Sequence, residues 1–385
     1  MTTRTLTQTK PSAAPALLGW VHGGVALVAG VLVAFCGRAE ALVALLLALA
    51  AGAAELRRAL RRDSAQSDLV GAYKLEDKVG EGGMGVVYKA SHTLLGRPAA
   101  IKFLAPAHAG EQAALRFERE VQVTSRLTHP NTISIYDFGR TAGGAFYYAM
   151  EYVDGLDLQT LVERHGPQPP ARVAHLLAQL AGALAEAHAS CLIHRDVKPA
   201  NVMVCERGGM LDVVKVLDFG LVKETNARSA ATNEGERVVG TPLYLAPEAI
   251  AAPDSVDARS DLYALGALGY FLLTGSTPFS GTDVVDVCRQ HLHSRPVPVA
   301  LRAPGPVPLA LETLVMRCLA KSRDERPRSA ADVNAALLPV AAEWTQQRAA
   351  SFWARAATAS AAAPRASASR AFDVRELAPT VALAA

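Results

Sequence analysis

Two short segments constrain this chain more than anything else in it: His194-Arg195-Asp196-Val197-Lys198-Pro199-Ala200-Asn201 and Asp218-Phe219-Gly220. The first puts an Asp, a Lys and an Asn in one short loop, and the second adds another Asp 22 residues after Asp196. Residues 202–216 between them read as a hairpin-like stretch. Alone, Asp and Asn mark turns and helix caps, and a lone Asp-Phe-Gly carries no information. In this order and spacing they gather a base for a hydroxyl proton, a cation for a phosphoryl group and two oxygen ligands for magnesium.

A glycine pattern precedes them. Val79-Gly80-Glu81-Gly82-Gly83-Met84-Gly85-Val86-Val87-Tyr88 holds Gly80, Gly82 and Gly85 in a G-x-G-x-x-G arrangement between strand-like runs. Missing side chains let backbone N–H groups approach phosphate oxygens. The pattern also occurs in dinucleotide-binding folds, where a helix follows directly. Here Val86-Val87-Tyr88-Lys89-Ala90 continues as a strand, and Ala99-Ala100-Ile101-Lys102 places a strand lysine 15 residues after Val87. A lysine in that setting needs a carboxylate to fix it. Residues 111–127 form a helical pattern with Glu118 and Glu120 as candidates.

From residue 73 to about 338 the chain resembles the eukaryotic-like serine/threonine protein kinases of bacteria. The resemblance also covers Met150-Glu151-Tyr152-Val153-Asp154-Gly155 and Asp257-Ala258-Arg259-Ser260-Asp261-Leu262-Tyr263, outside the motifs that carry chemistry. It implies an α+β, bilobal protein-kinase fold, with a small antiparallel-sheet N-lobe (about 73–150) containing one key helix and a mostly helical C-lobe (about 155–340). The roles it implies follow the general template for phosphoryl transfer by protein kinases. Asp196 is the base, Lys198 neutralises the γ-phosphate, and Asn201 and Asp218 hold Mg2+. Lys102 holds the ATP phosphates, paired by Glu120 within Arg116-Phe117-Glu118-Arg119-Glu120. Thr241 bonds Asp196 and Lys198.

ATP would lie under Val79, Gly80, Gly82 and Gly85. Its adenine would sit between Val87 and Ala100 above and Met203 below, with Met150 as gatekeeper and Glu151 to Val153 as hinge. Phe219 and Gly220 complete the metal loop. Asp261 ties down the catalytic-loop backbone, and Glu248 pairs with Arg326. Lys198-Pro199-Ala200-Asn201 and Gly240-Thr241-Pro242 resemble serine/threonine rather than tyrosine kinases. The implied activity is transfer of the ATP γ-phosphate to Ser/Thr hydroxyls of proteins, the kinase itself included. Partners would be such proteins and a second kinase in a dimer. A catalytically silent scaffold that binds nucleotide and recruits signalling partners is the alternative. Silent members usually lack the strand lysine, the catalytic Asp or the metal Asp, and all three are present.

Arg195 beside the catalytic Asp resembles the arginine of kinases that need a phosphate on the activation loop to balance it. Thr225, Ser229 and Thr232 are the acceptors there.

A formal net charge of +3 is too small to argue for nucleic acid. The cysteines show no pairing or metal-ligand spacing and read as small buried hydrophobes. Residues 16–36 run 21 positions without a formal charge; at about 1.5 Å per residue they reach ~31 Å, enough for a bilayer core of about 30 Å. Residues 41–54 form a second, shorter apolar run. Arg4 and Lys10 precede the first run, and Arg57, Arg58, Arg61 and Arg62 follow the second. Positive residues favour the cytoplasmic side. The organisation expected is a cytoplasmic tail (1–15), a transmembrane helical hairpin (16–56), a basic juxtamembrane linker (57–72), the kinase domain (73–340) and an Ala-rich helix with a disordered tail (341–385). A single span with the second run at the interface is the other arrangement. The hairpin places the protein in the inner (cytoplasmic) membrane with the kinase facing the cytoplasm.

Overall fold

The computed structural model describes residues 68–82, 85–104, 118, 121–141, 144–219 and 242–361. Contacts divide the chain into two units, Met1–Leu69 and Val70–Ala385, and the described elements belong to the second, save that the first strand begins at Leu69. The expected hairpin anchor, the cytoplasmic tail and the far C-terminal tail lie outside the described residues. Among the described residues no helix is long and apolar enough to cross a membrane.

The N-terminal sheet has the order β1-β2-β3-β4-β6-β5, from β1 (Leu69–Val70), β2 (Tyr73–Gly82), β3 (Gly85–His92), β4 (Pro98–Leu104), β5 (Ile135–Arg140) and β6 (Phe146–Glu151). β1 begins inside the stretch expected to be linker. Side chains alternate along a strand, and here both faces are buried. One face of β4 and β6 puts Ala99, Ile101, Phe103, Tyr147 and Ala149 into one apolar cluster. The other puts Ala100, Leu104, Phe146, Tyr148 and Met150 into a second, which faces the candidate site. Lys102 lies on that second face, directly opposite Tyr148 in the β4–β6 register.

The C-terminal half is built on two helices. Of the helices α1 (Leu158–His165), α2 (Pro170–Ala189), α3 (Pro247–Ala251) and α4 (Ala258–Thr274), α4 is the most enclosed. It is apolar on nearly every side, as a helix at the centre of a domain must be. Asp257 caps its start by accepting from Arg259 N, and Gly275 (φ 73°) ends it in the left-handed conformation that glycine adopts most easily. β8 (Val202–Arg207) and β9 (Met210–Val216) pair antiparallel. Gly208 and Gly209, at φ 56° and 76°, form the tight turn between them. β7 (Gly155–Asp157) completes that small sheet. α5 (Val284–His293), α6 (Leu309–Cys318) and α7 (Ala330–Ala341) close the lobe. α8 (Gln346–Ala361) comes next and packs against α2 and β9. Cys205 and Cys318 are buried, while Cys191 is exposed, unlike the expectation for it.

Backbone strain concentrates in one stretch. Among the described residues, the non-glycine positions with positive φ are Cys191, Arg195, Asp212 and Asp218.

α5 carries a buried histidine with a consequence for acid stability. His291 accepts from or donates to Tyr263 Oη at 2.8 Å, and its ring lies 4.9 Å from that of Phe279. Burial, then the Lys321 charge, lowers its pKa from 6.5 to about 4. The folded state therefore resists the proton that the unfolded chain takes up. No stability is at stake above pH 6.5; as pH falls towards 4, His291 alone should remove about 3 kcal/mol. Urea midpoints between pH 7 and 4.5 should fall less steeply in His291→Asn than in wild type. An unchanged slope would exclude His291 as the titrating group.

Candidate active site

The catalytic-loop backbone hangs from α4. Asp261 accepts from His194 N through Oδ2 (2.8 Å) and from Arg195 N through Oδ1 (2.9 Å), and His188 Nε2 bonds the same Oδ2 at 2.8 Å. His194 is buried, and burial lowers its pKa despite nearby carboxylates, so the ring stays neutral. Its Nδ1 accepts from Asp196 N (3.3 Å), which leaves Nε2–H to donate to Leu217 O at 2.9 Å. The ring also lies 4.6 Å from that of buried Phe219. One imidazole thus ties the catalytic loop to the segment bearing Asp218.

Asp196, Lys198 and Asn201 converge at the loop's centre. Lys198 Nζ donates to Asp196 Oδ2 at 2.8 Å, and Asn201 Nδ2 donates to Asp196 O and Oδ2, each at 2.9 Å. A charged carboxylate held by a cation and an amide donor is oriented as a base for a hydroxyl proton must be. Asn201 spends its amide N–H groups on Asp196.

On the facing side, Lys102 Nζ lies 2.5 Å from Asp218 Oδ2, and Tyr148 Oη donates to Asp218 Oδ1 at 2.5 Å. Burial pushes the Asp218 carboxyl up, but the Lys102 charge and the bonds from Lys102 and Tyr148 outweigh it and hold it below the usual value. Burial and the Asp218 charge raise the Tyr148 phenol well above its ordinary range, so it stays a donor. Lys102 therefore meets Asp218, whereas the partner expected from sequence, Glu120, lies outside the described residues. Gly220, Thr241, Thr225, Ser229 and Thr232 lie outside them too.

The residues expected to form the apolar slot come together. Ala100, Met150 and Val153 are buried in one cluster, with Val87 and Met203 packed against it. Gly80 and Gly82 end β2 and Gly85 opens β3, with Val79 exposed beside them. Gly85 has φ 140°, and a Cβ there would meet Phe103 O at 1.8 Å, so no other residue fits. Glu151 at the end of β6 is buried and faces two cations. Lys215 lies 3.0 Å from its Oε2, not aligned as a hydrogen bond, and Arg207 pairs with its Oε1. Neither cation stands out in the sequence, because the pairing depends on the β8–β9 hairpin folding under the hinge.

Two buried ion pairs brace the C-lobe. Arg326 grips Glu248 with both terminal nitrogens, at 2.7 and 2.8 Å, and Ser260 Oγ adds a bond of 2.6 Å. Burial raises the Glu248 carboxyl, but the bonds from Arg326 and Ser260 bring it below its usual value. The second pair has no counterpart in the sequence reading. Arg172 on α2 donates to Asp212 on β9 through Nε (2.9 Å) and Nη2 (2.6 Å). The indole N–H groups of Trp344 and Trp353 donate to the same carboxylate, each at 2.8 Å, and Phe352 covers the guanidinium at 3.8 Å. Residues 341–361 are thus part of the packed domain rather than an appendage to it.

A family model described as "Protein kinase domain" matches residues 73–337. The serine/threonine-protein kinase pkn3 of Myxococcus xanthus is 41% identical over 273 residues, 70% of this chain and 50% of that protein. The serine/threonine-protein kinase PknB of Mycobacterium tuberculosis is 39% identical over 278 residues, 71% of this chain and 44% of that protein. The chain spans half or less of the length of these curated relatives. The crystal structure of the M. tuberculosis PknI kinase domain superposes with a TM-score of 0.56 at 29% identity, covering 72% of this chain and 98% of that one.

Proposed function

The chain belongs to the protein kinase family, in its bacterial eukaryotic-like serine/threonine branch, and on that premise we propose that it transfers the ATP γ-phosphate to Ser/Thr hydroxyls of proteins, itself included. The observation that carries this reading is the convergence of Lys198 and Asn201 on Asp196 Oδ2. Asp196 takes the hydrogen bond of the incoming hydroxyl and then its proton. Lys198, already beside that carboxylate, meets the charge that builds on the phosphoryl oxygens. Lys102 exchanges Asp218 for the nucleotide phosphates. The slot of Val87, Ala100, Met150, Val153 and Met203 receives adenine by shape and apolar contact.

Magnesium fits these residues. Asp218 and Asn201 offer hard oxygen donors, and among the described residues no group of three or more His, Cys, Asp or Glu forms a metal cage. That is the donor set of an ion which keeps waters and shares nucleotide phosphates. Asp218 and Asn201 would hold Mg2+, which would neutralise phosphate charge.

The uncharged run at 16–36 supports a membrane anchor, singly spanning or as a hairpin with 41–54, and the flanking arginines support a kinase facing the cytoplasm from the inner membrane. Full-length protein should resist extraction by high salt and yield to detergent; release by salt alone would mean a peripheral, charge-held protein. Control by Arg195 with Thr225, Ser229 or Thr232, acting within a kinase pair, completes the reading.

Incubation with γ-labelled ATP, Mg2+ and a generic protein substrate tests the activity. Label is expected on phosphoserine and phosphothreonine. Nucleotide binding without transfer would instead identify a silent scaffold.

A further inference from the structure

Tyr148 is absorbed by none of these roles. Its position is fixed by strand geometry: β4 and β6 pair so that Tyr148 stands directly opposite Lys102 and projects from the same face. It is 1% exposed, and apart from Lys102 its neighbours on that face of the sheet, Leu104, Phe146 and Met150, are apolar. A phenylalanine would fill such a site. A buried phenol instead needs a partner for its hydroxyl, and that partner is the metal-loop carboxylate: Oη donates to Asp218 Oδ1 at 2.5 Å while Lys102 holds Oδ2.

We infer that Tyr148 is a positioning residue that holds Asp218 in the orientation needed to bind the nucleotide's divalent cation. The two donors respond differently to a metal. Lys102 is a cation with a competing task at the phosphates, and a metal ion repels it from Asp218. Tyr148 is neutral, so it neither cancels the carboxylate's charge nor is expelled by a metal on the opposite oxygen. An oxygen of a ligating carboxylate that is itself hydrogen-bonded is restrained before the metal arrives. Such outer partners typically alter metal affinity 10–100-fold when lost.

This inference rests on the reading of Asp218 and Asn201 as the metal site, and the test separates the two. Full-length protein in detergent is titrated with Mn2+ in the presence of a non-hydrolysable ATP analogue, with free Mn2+ followed by its electron paramagnetic resonance. Wild type should bind Mn2+ in a nucleotide-dependent manner that Asp218→Asn abolishes; if it does not, the metal-site reading itself fails. Given that result, Tyr148→Phe should weaken Mn2+ binding by about tenfold, while its melting temperature without metal or nucleotide stays near that of wild type. Tyr148→Met, a second hydroxyl-free side chain that packs adaptably, should give the same weakening. Unchanged or tighter Mn2+ binding in both variants would overturn the inference. So would a lowered melting temperature with Mn2+ affinity intact, which would mean that the hydroxyl serves only the fold.

Discussion

Replacing Asp196 with Asn is expected to lower phosphoryl transfer by about 10²–10⁴-fold, the usual contribution of a positioned general base. Affinity for ATP should barely change. The substitution keeps one side-chain oxygen, so bonds like those from Lys198 Nζ and Asn201 Nδ2 to Oδ2 can persist and the loop need not rearrange. The backbone is anchored separately, through Asp261 to His194 N and Arg195 N. What disappears is the ability to accept the hydroxyl's proton. The measurement is initial rate against substrate concentration alongside nucleotide affinity by calorimetry; loss confined to turnover is the expected signature. A large fall in ATP affinity would contradict the role, because Asp196 is assigned to the hydroxyl and not to the nucleotide.

Substituting Asp212 with Ala should lower stability by about 3–5 kcal/mol, because it strands the buried Arg172 charge. It also leaves the indole N–H groups of Trp344 and Trp353 without their acceptor. Arg172 is fully buried, so no water can take over. Replacing both members with apolar residues of similar size, Arg172→Met with Asp212→Leu, removes the charge and the need for its partner, and should recover much of the loss. Urea denaturation of the single and double variants measures this directly. If the single variant unfolds at the wild-type midpoint, the pair contributes nothing and α8 is held by other contacts.

These two sites differ in how visible they are in sequence. Asp196, Lys198 and Asn201 lie within one turn of chain, so covalent spacing alone brings them together, and Asp218 comes after a single hairpin. The slot residues are legible through the family resemblance, which places Ala100 and Met150 next to the motifs of Lys102 and Glu151. Tyr148 is hidden because Phe146-Tyr147-Tyr148-Ala149-Met150 reads as plain core. Only the β4–β6 register shows which tyrosine faces Lys102. The Asp212 cluster is less accessible still. Its tryptophans are 132 and 141 residues away in sequence, and an Asp in a hairpin ordinarily signals a turn. The sequence reading therefore ends the domain at residue 340, short of the helix that covers this cluster.

The strained residues have a consequence for anyone seeking a more heat-resistant form. Cys191, Arg195, Asp212 and Asp218 all hold a left-handed backbone, a conformation that costs an ordinary residue roughly 1–2 kcal/mol and a glycine almost nothing. Random mutagenesis scored by survival on heating would be drawn to glycine at Cys191 and Arg195, but not at Asp212 or Asp218, whose carboxylates hold the buried cations Arg172 and Lys102. At Cys191, which is exposed and outside the site, such a gain carries no evident cost. At Arg195 it would remove the side chain beside Asp196 from a backbone that Asp261 holds in place through Arg195 N, exchanging catalytic geometry for melting temperature. Selection for durability alone would thus enrich inert variants, and a screen on this chain needs an activity gate in every round.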